Sequence, residues 1–215
     1  NVGIPSVVTI HDVAFRTFPD MYHCLDRFIY DTKWRYACKH ANRIIAISES
    51  TKKDIIRFYD VPEEKIDVIY QPVARQFYTP IEVSDKEIAS LPPYILYVGS
   101  INSRKNLLGV VKAMELLPKD LQIPLVIIGT GNIYKQQVKR YIARKGMEKL
   151  FIWPENVTNE QLQQYYTQAT AFIYPSFYEG FGLPVVEAQL CGCPVITSDV
   201  SSLPEVGGPH SFTVN

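Results

Sequence analysis

Residues 171 to 187 read Ala-Phe-Ile-Tyr-Pro-Ser-Phe-Tyr-Glu-Gly-Phe-Gly-Leu-Pro-Val-Val-Glu, and the fold of the whole chain turns on this stretch. Ala171 to Tyr174 is a short apolar run of strand type, and a helical pattern opens at Pro184 and runs to Cys191. Strand, glycine-containing turn and helix in direct succession form the repeating unit of doubly wound parallel sheets. Gly180 and Gly182 let backbone amides approach a ligand, and the helix N-terminus beyond them carries a partial positive charge. Proline at the first helical position has no amide to leave unpaired. Such a corner, at the C-terminal edge of a parallel sheet, suits a phosphate. Glu179 precedes the glycines and cannot favour a phosphate by charge, so its better use is to accept hydrogen bonds from sugar hydroxyls. Glu187, one turn into the helix, can accept two bonds from the vicinal hydroxyls of a ribose.

Two further strand ends carry chemistry. After the run Tyr94 to Val98 comes Gly99-Ser100-Ile101-Asn102-Ser103-Arg104-Lys105-Asn106, again joining strand to helix. Arg104 and Lys105 place two positive charges there, matched to the two phosphates of a nucleoside diphosphate. His11-Asp12 follows the run Ser6 to Ile10, where an imidazole can meet a sugar hydroxyl or a reacting centre. His23, His40 and His210 have no such context and read as structural or solvated.

The remaining chain repeats the same alternation. Apolar runs occur at Arg43 to Ile47, Lys65 to Tyr70, Pro124 to Ile128, Leu150 to Trp153 and Pro194 to Thr197, most of them rich in Val and Ile and without polar alternation, as suits strands buried on both faces. Helical patterns occupy Leu25 to Ala41, Ser50 to Tyr59, Asn106 to Leu117, Ile133 to Lys145 and Asn159 to Ala169. Ser50 and Asn159 are expected N-caps, with Gly146 and Gly192 as left-handed residues just past helix ends. Between Tyr70 and Tyr94 the pattern lapses into prolines and charges. The expectation is therefore an α/β chain of two doubly wound, Rossmann-like domains, both incomplete: residues 1–78, a linker at 79–91, and a second domain at 92–215, which the family resemblance given below implies to be the nucleotide-sugar-binding one. The start at Asn1, directly before a strand, reads as a piece of something longer.

Composition narrows the partners. Lys plus Arg and Asp plus Glu both number 22, so no net charge draws the chain to nucleic acid or an anionic surface, and any anion must be held locally. Cys24 and Cys38 fall in one helical stretch roughly 21 Å apart, too far to bridge. Cys191 and Cys193 lack partners at zinc spacing. Reduced thiols and a cytoplasmic setting follow. No apolar run reaches the roughly 18 residues of a membrane span.

These residues resemble glycosyltransferase family 4, retaining enzymes with the GT-B fold of two doubly wound domains around a cleft. The resemblance runs in order through His11-Asp12, the helix start Ala46-Ile47-Ser48-Glu49-Ser50-Thr51-Lys52, Val98-Gly99 with Arg104-Lys105-Asn106, the E-x7-E pair Glu179 and Glu187, Pro194 to Ser198, and Leu203-Pro204-Glu205-Val206. It implies a hexose, mannose or glucose, moved from a nucleoside-diphosphate sugar to a sugar, glycan or lipid-linked acceptor. Carried over by position, Gly99, Arg104, Lys105, Gly182 and Leu183 hold the diphosphate, Glu179, Gly180 and Phe181 the donor sugar, and Glu187 the ribose; His11 and Glu179 are the catalytic candidates. The scheme needs neither metal nor cofactor, the nucleotide sugar being a substrate, and it leaves room for a parent protein bound peripherally to the inner face of a membrane. Ser100 stands where many members carry an arginine, which opens the question of whether Arg104 substitutes for it. The alternatives are a non-catalytic nucleotide-sugar-binding module and a GT-B sugar-nucleotide epimerase; a phosphorylase would need a pyridoxal lysine that the sequence does not reveal.

Overall fold

The computed structural model describes residues 4–215. Three parallel strands, β1 (Val7–Ile10), β2 (Arg43–Ala46) and β3 (Ile66–Val68), form a first sheet in the order β1-β2-β3. Six more form a second: β4 (Ile95–Val98), β5 (Leu125–Ile128), β6 (Phe151–Ile152), β7 (Ala171–Tyr174), β8 (Val195–Ser198) and β9 (Ser211–Val214). Their order is β6-β5-β4-β7-β8-β9, and every pairing is parallel. The helices are α1 (Ala14–Thr17), α2 (Cys24–His40), α3 (Glu49–Tyr59), α4 (Lys86–Ala89), α5 (Leu107–Leu116), α6 (Ile133–Arg144), α7 (Asn159–Gln168), α8 (Leu183–Leu190) and α9 (Leu203–Gly207). This is the parallel α/β architecture expected from the strand–helix alternation.

The second sheet's central strands are covered on both faces, which explains why β4 and β5 hold no charged residue. Along β4, Leu96 and Val98 enter one buried cluster while Tyr97 enters another; along β5, Val126 and Ile128 go to the first and Leu125 and Ile127 to the second. Successive side chains of a strand point to opposite faces, so both sets must be apolar. Burying that apolar area, at about 25 cal/mol per Å², is the main stabilising term. The first sheet has its own cluster around Ile10, Ile44, Ala46 and Ile55.

Several element ends differ from expectation. The N-cap of α3 is Ser48, not Ser50: its extended backbone and hydroxyl, which accepts from the Thr51 amide at 3.0 Å, satisfy the helix two residues earlier. Thr158 rather than Asn159 caps α7, and it forms a capping box with Gln161. Helix α8 starts at Leu183, with Gly182 at φ 116° before it and Pro184 in the first turn. Gly146 and Gly192 take φ 65° and 73°, the left-handed conformation expected beyond α6 and α8. Strand β9 was not anticipated, because it is short, pairs at the edge with β8 and exposes Phe212 and Val214. Segment 79–91 contains α4 and is packed: Ile88 is buried in the second sheet's larger cluster, and the Gln164 carboxamide accepts from the Ser84 and Asp85 amides. All four cysteines are free thiols, Cys24 and Cys38 both lying in α2.

Candidate active site

In the second sheet the winding reverses between β4 and β7, so the connections leaving those two strands run to opposite faces and open a crevice between them. The two segments singled out in the sequence, 99–106 and 175–184, are these connections. They are tied together by the Phe177 amide, which donates to the Arg104 carbonyl at 2.8 Å. The end of β1 meets them from the first sheet. A Cβ on Gly180 would lie 2.0 Å from the His11 carbonyl oxygen and 2.9 Å from the Asp12 Cβ, so only glycine permits this approach.

A cleft of about 260 Å³ lies at this junction, lined by His11, Asp12, Ile47, Gln71, Gly99, Lys105, Tyr174, Glu179, Gly180, Phe181, Gly182, Leu183 and Pro184. Of the residues picked from sequence, His11, Gly99, Lys105, Glu179, Gly180, Phe181, Gly182 and Leu183 are thus brought together. Asp12, Gln71 and Tyr174 join them without having been assigned a role. Asp12 was visible in the His-Asp pair, but nothing local marks Gln71 or Tyr174. A larger cleft of about 520 Å³ adjoins through Gly99, lined by Val98 to Ser100, Ile128 to Thr130, Lys135 and Pro154 to Val157. It collects the ends of β4, β5 and β6, which no single stretch of sequence advertises.

The chemistry centres on Glu179. Its carboxylate meets Lys105 Nζ at 2.6 Å and Arg104 Nη1 at 3.1 Å, and both Glu179 and Lys105 are only 7% exposed. Arg104 also donates to the Tyr178 carbonyl, and Lys105 to the Tyr174 hydroxyl while lying over that ring. Burial alone would raise the Glu179 pKa, but Lys105 and then Arg104 outweigh it and hold the carboxyl below its ordinary range. Lys105 is shifted down by burial, against the pull of Glu179. The Ser176 hydroxyl, fully buried beside this carboxylate, adds to the lowering. Glu179 lines the cleft, where a carboxylate can accept from a ligand hydroxyl.

The acid dependence of stability follows from the sign of the Glu179 shift. Between its folded value and the ordinary 4.5 the unfolded chain binds more protons, so this contribution is complete above 4.5 and is lost as pH falls through the folded value. Glu187 acts oppositely, because burial raises its pKa. Lys105→Met removes the larger of the two charges that depress Glu179. Its urea midpoint is therefore expected to fall less than that of the wild type between about pH 6 and about pH 3. Equal falls in the two proteins would contradict the pair's role.

His11, exposed at the cleft rim, receives the Gln71 carboxamide nitrogen at Nδ1, 2.9 Å away. Glu187 stands apart: it does not line either cleft, and its Oε2 accepts from the Tyr166 hydroxyl at 3.1 Å.

Residues 80–213 match the family model described as glycosyl transferases group 1, and residues 1–77 match the model of glycosyltransferase family 4. The chain belongs to the group 1 glycosyltransferases. It is 34% identical over 212 residues to the O-antigen chain mannosyltransferase B of Escherichia coli, covering 94% of this chain and 55% of that protein. Among solved structures, sucrose-phosphate synthase from Thermosynechococcus elongatus superposes with a TM-score of 0.82 at 22% identity, covering 97% of this chain and 54% of the other. Anabaena HepE in complex with UDP superposes at 0.78 and 20% identity, over 98% of this chain and 58% of the other. At that identity these two show the fold, which is GT-B. The chain spans about half the length of these relatives.

Proposed function

We propose that this chain forms the donor site, and one wall of the acceptor site, of a retaining glycosyltransferase that moves a hexose from a nucleoside-diphosphate sugar to a glycan or lipid-linked acceptor. The observation that carries the reading is the meeting of Arg104, Lys105 and Glu179 with the glycine corner at the sheet's switch point. In this reading the diphosphate lies between Lys105, Arg104 and the Gly182–Leu183 amides at the head of α8, with Gly99 leaving room for it. The base lies in the adjoining 520 Å³ cleft and Glu187 turns from Tyr166 to the ribose. Glu179, lining the cleft, takes donor-sugar hydroxyls along with the backbone of Gly180 and Phe181. His11 closes the site from the first sheet.

The reaction needs charge stabilisation at the leaving group. The anomeric carbon–oxygen bond to the diphosphate breaks, and negative charge builds on the phosphate oxygen beside Lys105 and Arg104. The acceptor oxygen forms its bond on the same face, and its proton passes to that leaving oxygen. The two cations supply what a metal would otherwise supply, so activity independent of added divalent ions is part of the proposal. The mannosyltransferase relative favours mannose among the hexoses. Cytoplasmic placement, with peripheral contact to the inner face of a membrane for a lipid-linked acceptor, belongs to the same reading; among the described residues no helix is long and apolar enough to cross a bilayer.

Titration with UDP, GDP and ADP, with and without magnesium, tests the site. At about 100 times its dissociation constant the true ligand adds about 2.7 kcal/mol and raises the melting midpoint by roughly 5–11 °C. Calorimetry on Glu187→Ala is expected to show that nucleotide binding weakened by about 1–3 kcal/mol. Unchanged affinity would remove Glu187 from the ribose site, and no shift with any nucleotide would sink the donor-site reading.

A further inference from the structure

Helix α3 belongs to the first sheet, yet its N-terminus is completed by a residue of the second. The Ser48 hydroxyl takes the Thr51 amide. The two amides before it, of Glu49 and Ser50, donate to the two carboxylate oxygens of Glu205 at 2.8 and 3.2 Å, across 156 and 155 residues of sequence. An anion at a helix N-terminus is a favourable placement, and here the anion is a side chain of α9 rather than a ligand. The Tyr70 phenol, next to the first sheet, is pushed to higher pKa chiefly by its bond to the same carboxylate.

The same helix end also grips the glycine corner. Ser48 and Thr51 hydroxyls both donate to the Gly180 carbonyl, at 2.6 and 3.1 Å, and Tyr178 donates to Asp54 at 2.7 Å. On the other side, α9 is bolted to that corner by Ser202, whose hydroxyl reaches the carbonyls of Glu179 and Phe181 at 2.9 and 2.6 Å. Glu205 is thus tied through Ser202 to the Glu179–Phe181 segment, and α3 to the His11 strand end through the Thr51 hydroxyl, which lies 3.4 Å from the His11 carbonyl.

We propose that Glu205 is a positioning residue, the latch that seats the first sheet on the glycine corner and so brings His11 over the cleft. Release of the latch withdraws His11 but leaves Arg104, Lys105 and Glu179 assembled, because all three belong to the second sheet's connections. Assembly of the closed site is thereby separable from nucleoside-diphosphate binding; only this last step rests on the donor-site reading.

Paired nitroxide labels test it, one on the exposed Cys24 of α2 and one on Gln137→Cys on the outer face of α6, in a Cys191→Ala background. The label–label distance is expected to be single and narrow in otherwise wild-type protein, longer and broad in Glu205→Ala, and intermediate in Glu205→Gln, which keeps one acceptor. Ser48 still caps α3 in these variants, so far-UV circular dichroism should be unchanged. The dissociation constant for UDP or GDP, whichever the wild type binds, should change by less than about threefold in Glu205→Ala. A distance distribution indistinguishable from wild type in Glu205→Ala, or in Glu205→Gln if the alanine variant does not fold, overturns the latch. A tenfold loss of nucleotide affinity alongside the longer distance overturns its separability. If the wild type binds no nucleotide, the donor-site reading fails while the distances still decide the latch.

Discussion

Gly180→Ala is expected to lower turnover in the complete protein by about 100-fold or more, since a misplacement of roughly 1 Å at a reacting centre costs that much. The cause is steric. The added methyl would sit 2.0 Å from the His11 carbonyl oxygen, a backbone atom that cannot rotate aside as a side chain can. Either the glycine corner or the end of β1 must retreat, and the contact that brings His11 to the donor side opens. Gly146→Ala is the matched control: its φ is 65°, so alanine there is strained, but nothing lies within 4 Å of its Cβ. It should cost about 1 kcal/mol of stability and leave turnover intact. Steady-state rates on both variants, with the sugar nucleotide picked by the titration, separate contact from strain. A Gly180→Ala enzyme within fivefold of wild type would mean that the close approach of His11 to Gly180 is not needed for the chemistry.

Glu179→Ala should be the most destabilising single change at the site. It leaves Lys105, 7% exposed, and the adjacent Arg104 as two like charges without their counter-ion. Removing one partner of a buried pair costs about 3–5 kcal/mol, which for a chain of this size lowers the melting midpoint by roughly 6–20 °C. The same substitution makes a second, opposite prediction. A nucleoside diphosphate supplies the negative charge that the variant lacks, so it should raise the variant's midpoint by more than it raises that of the wild type, even as turnover collapses through loss of the donor-sugar contact. Turnover should fall while nucleotide affinity is kept or rises. Wild-type turnover, or a smaller nucleotide-induced shift in the variant than in the wild type, would remove Glu179 from the centre of the site.

Strands and helices were largely legible in the residues, because a sheet buried on both faces demands uninterrupted Val and Ile, and each connecting helix needs a cap and a stop. The exceptions are instructive. Strand β9 escaped notice because an edge strand has one partner and exposes Phe212, leaving little apolar pattern to read. The caps of α3 and α7 fell one or two residues earlier than expected, since Ser48 and Thr158 could take both the extended backbone and the amide of the third helical residue. The packing of 79–91 was likewise hidden, because its bonds go to Gln164, some 80 residues on.

For the site, the sequence by itself determined the components: a phosphate-type corner at 179–184, two cations at Arg104 and Lys105, and a histidine at a strand end. Each is a local pattern, set by what one strand–turn–helix unit needs. Only the tertiary structure decided how they combine. The reversal of winding between β4 and β7 puts the two connections side by side, so that Glu179 neutralises Arg104 and Lys105 rather than facing solvent. The placement of Glu187 against Tyr166, and of Glu205 on the end of α3, was equally beyond local reading. Hydrogen bonds and ion pairs between residues 21 to 156 positions apart depend on strand order and on the approach of the two sheets, and neither leaves a mark on the residues that flank each partner.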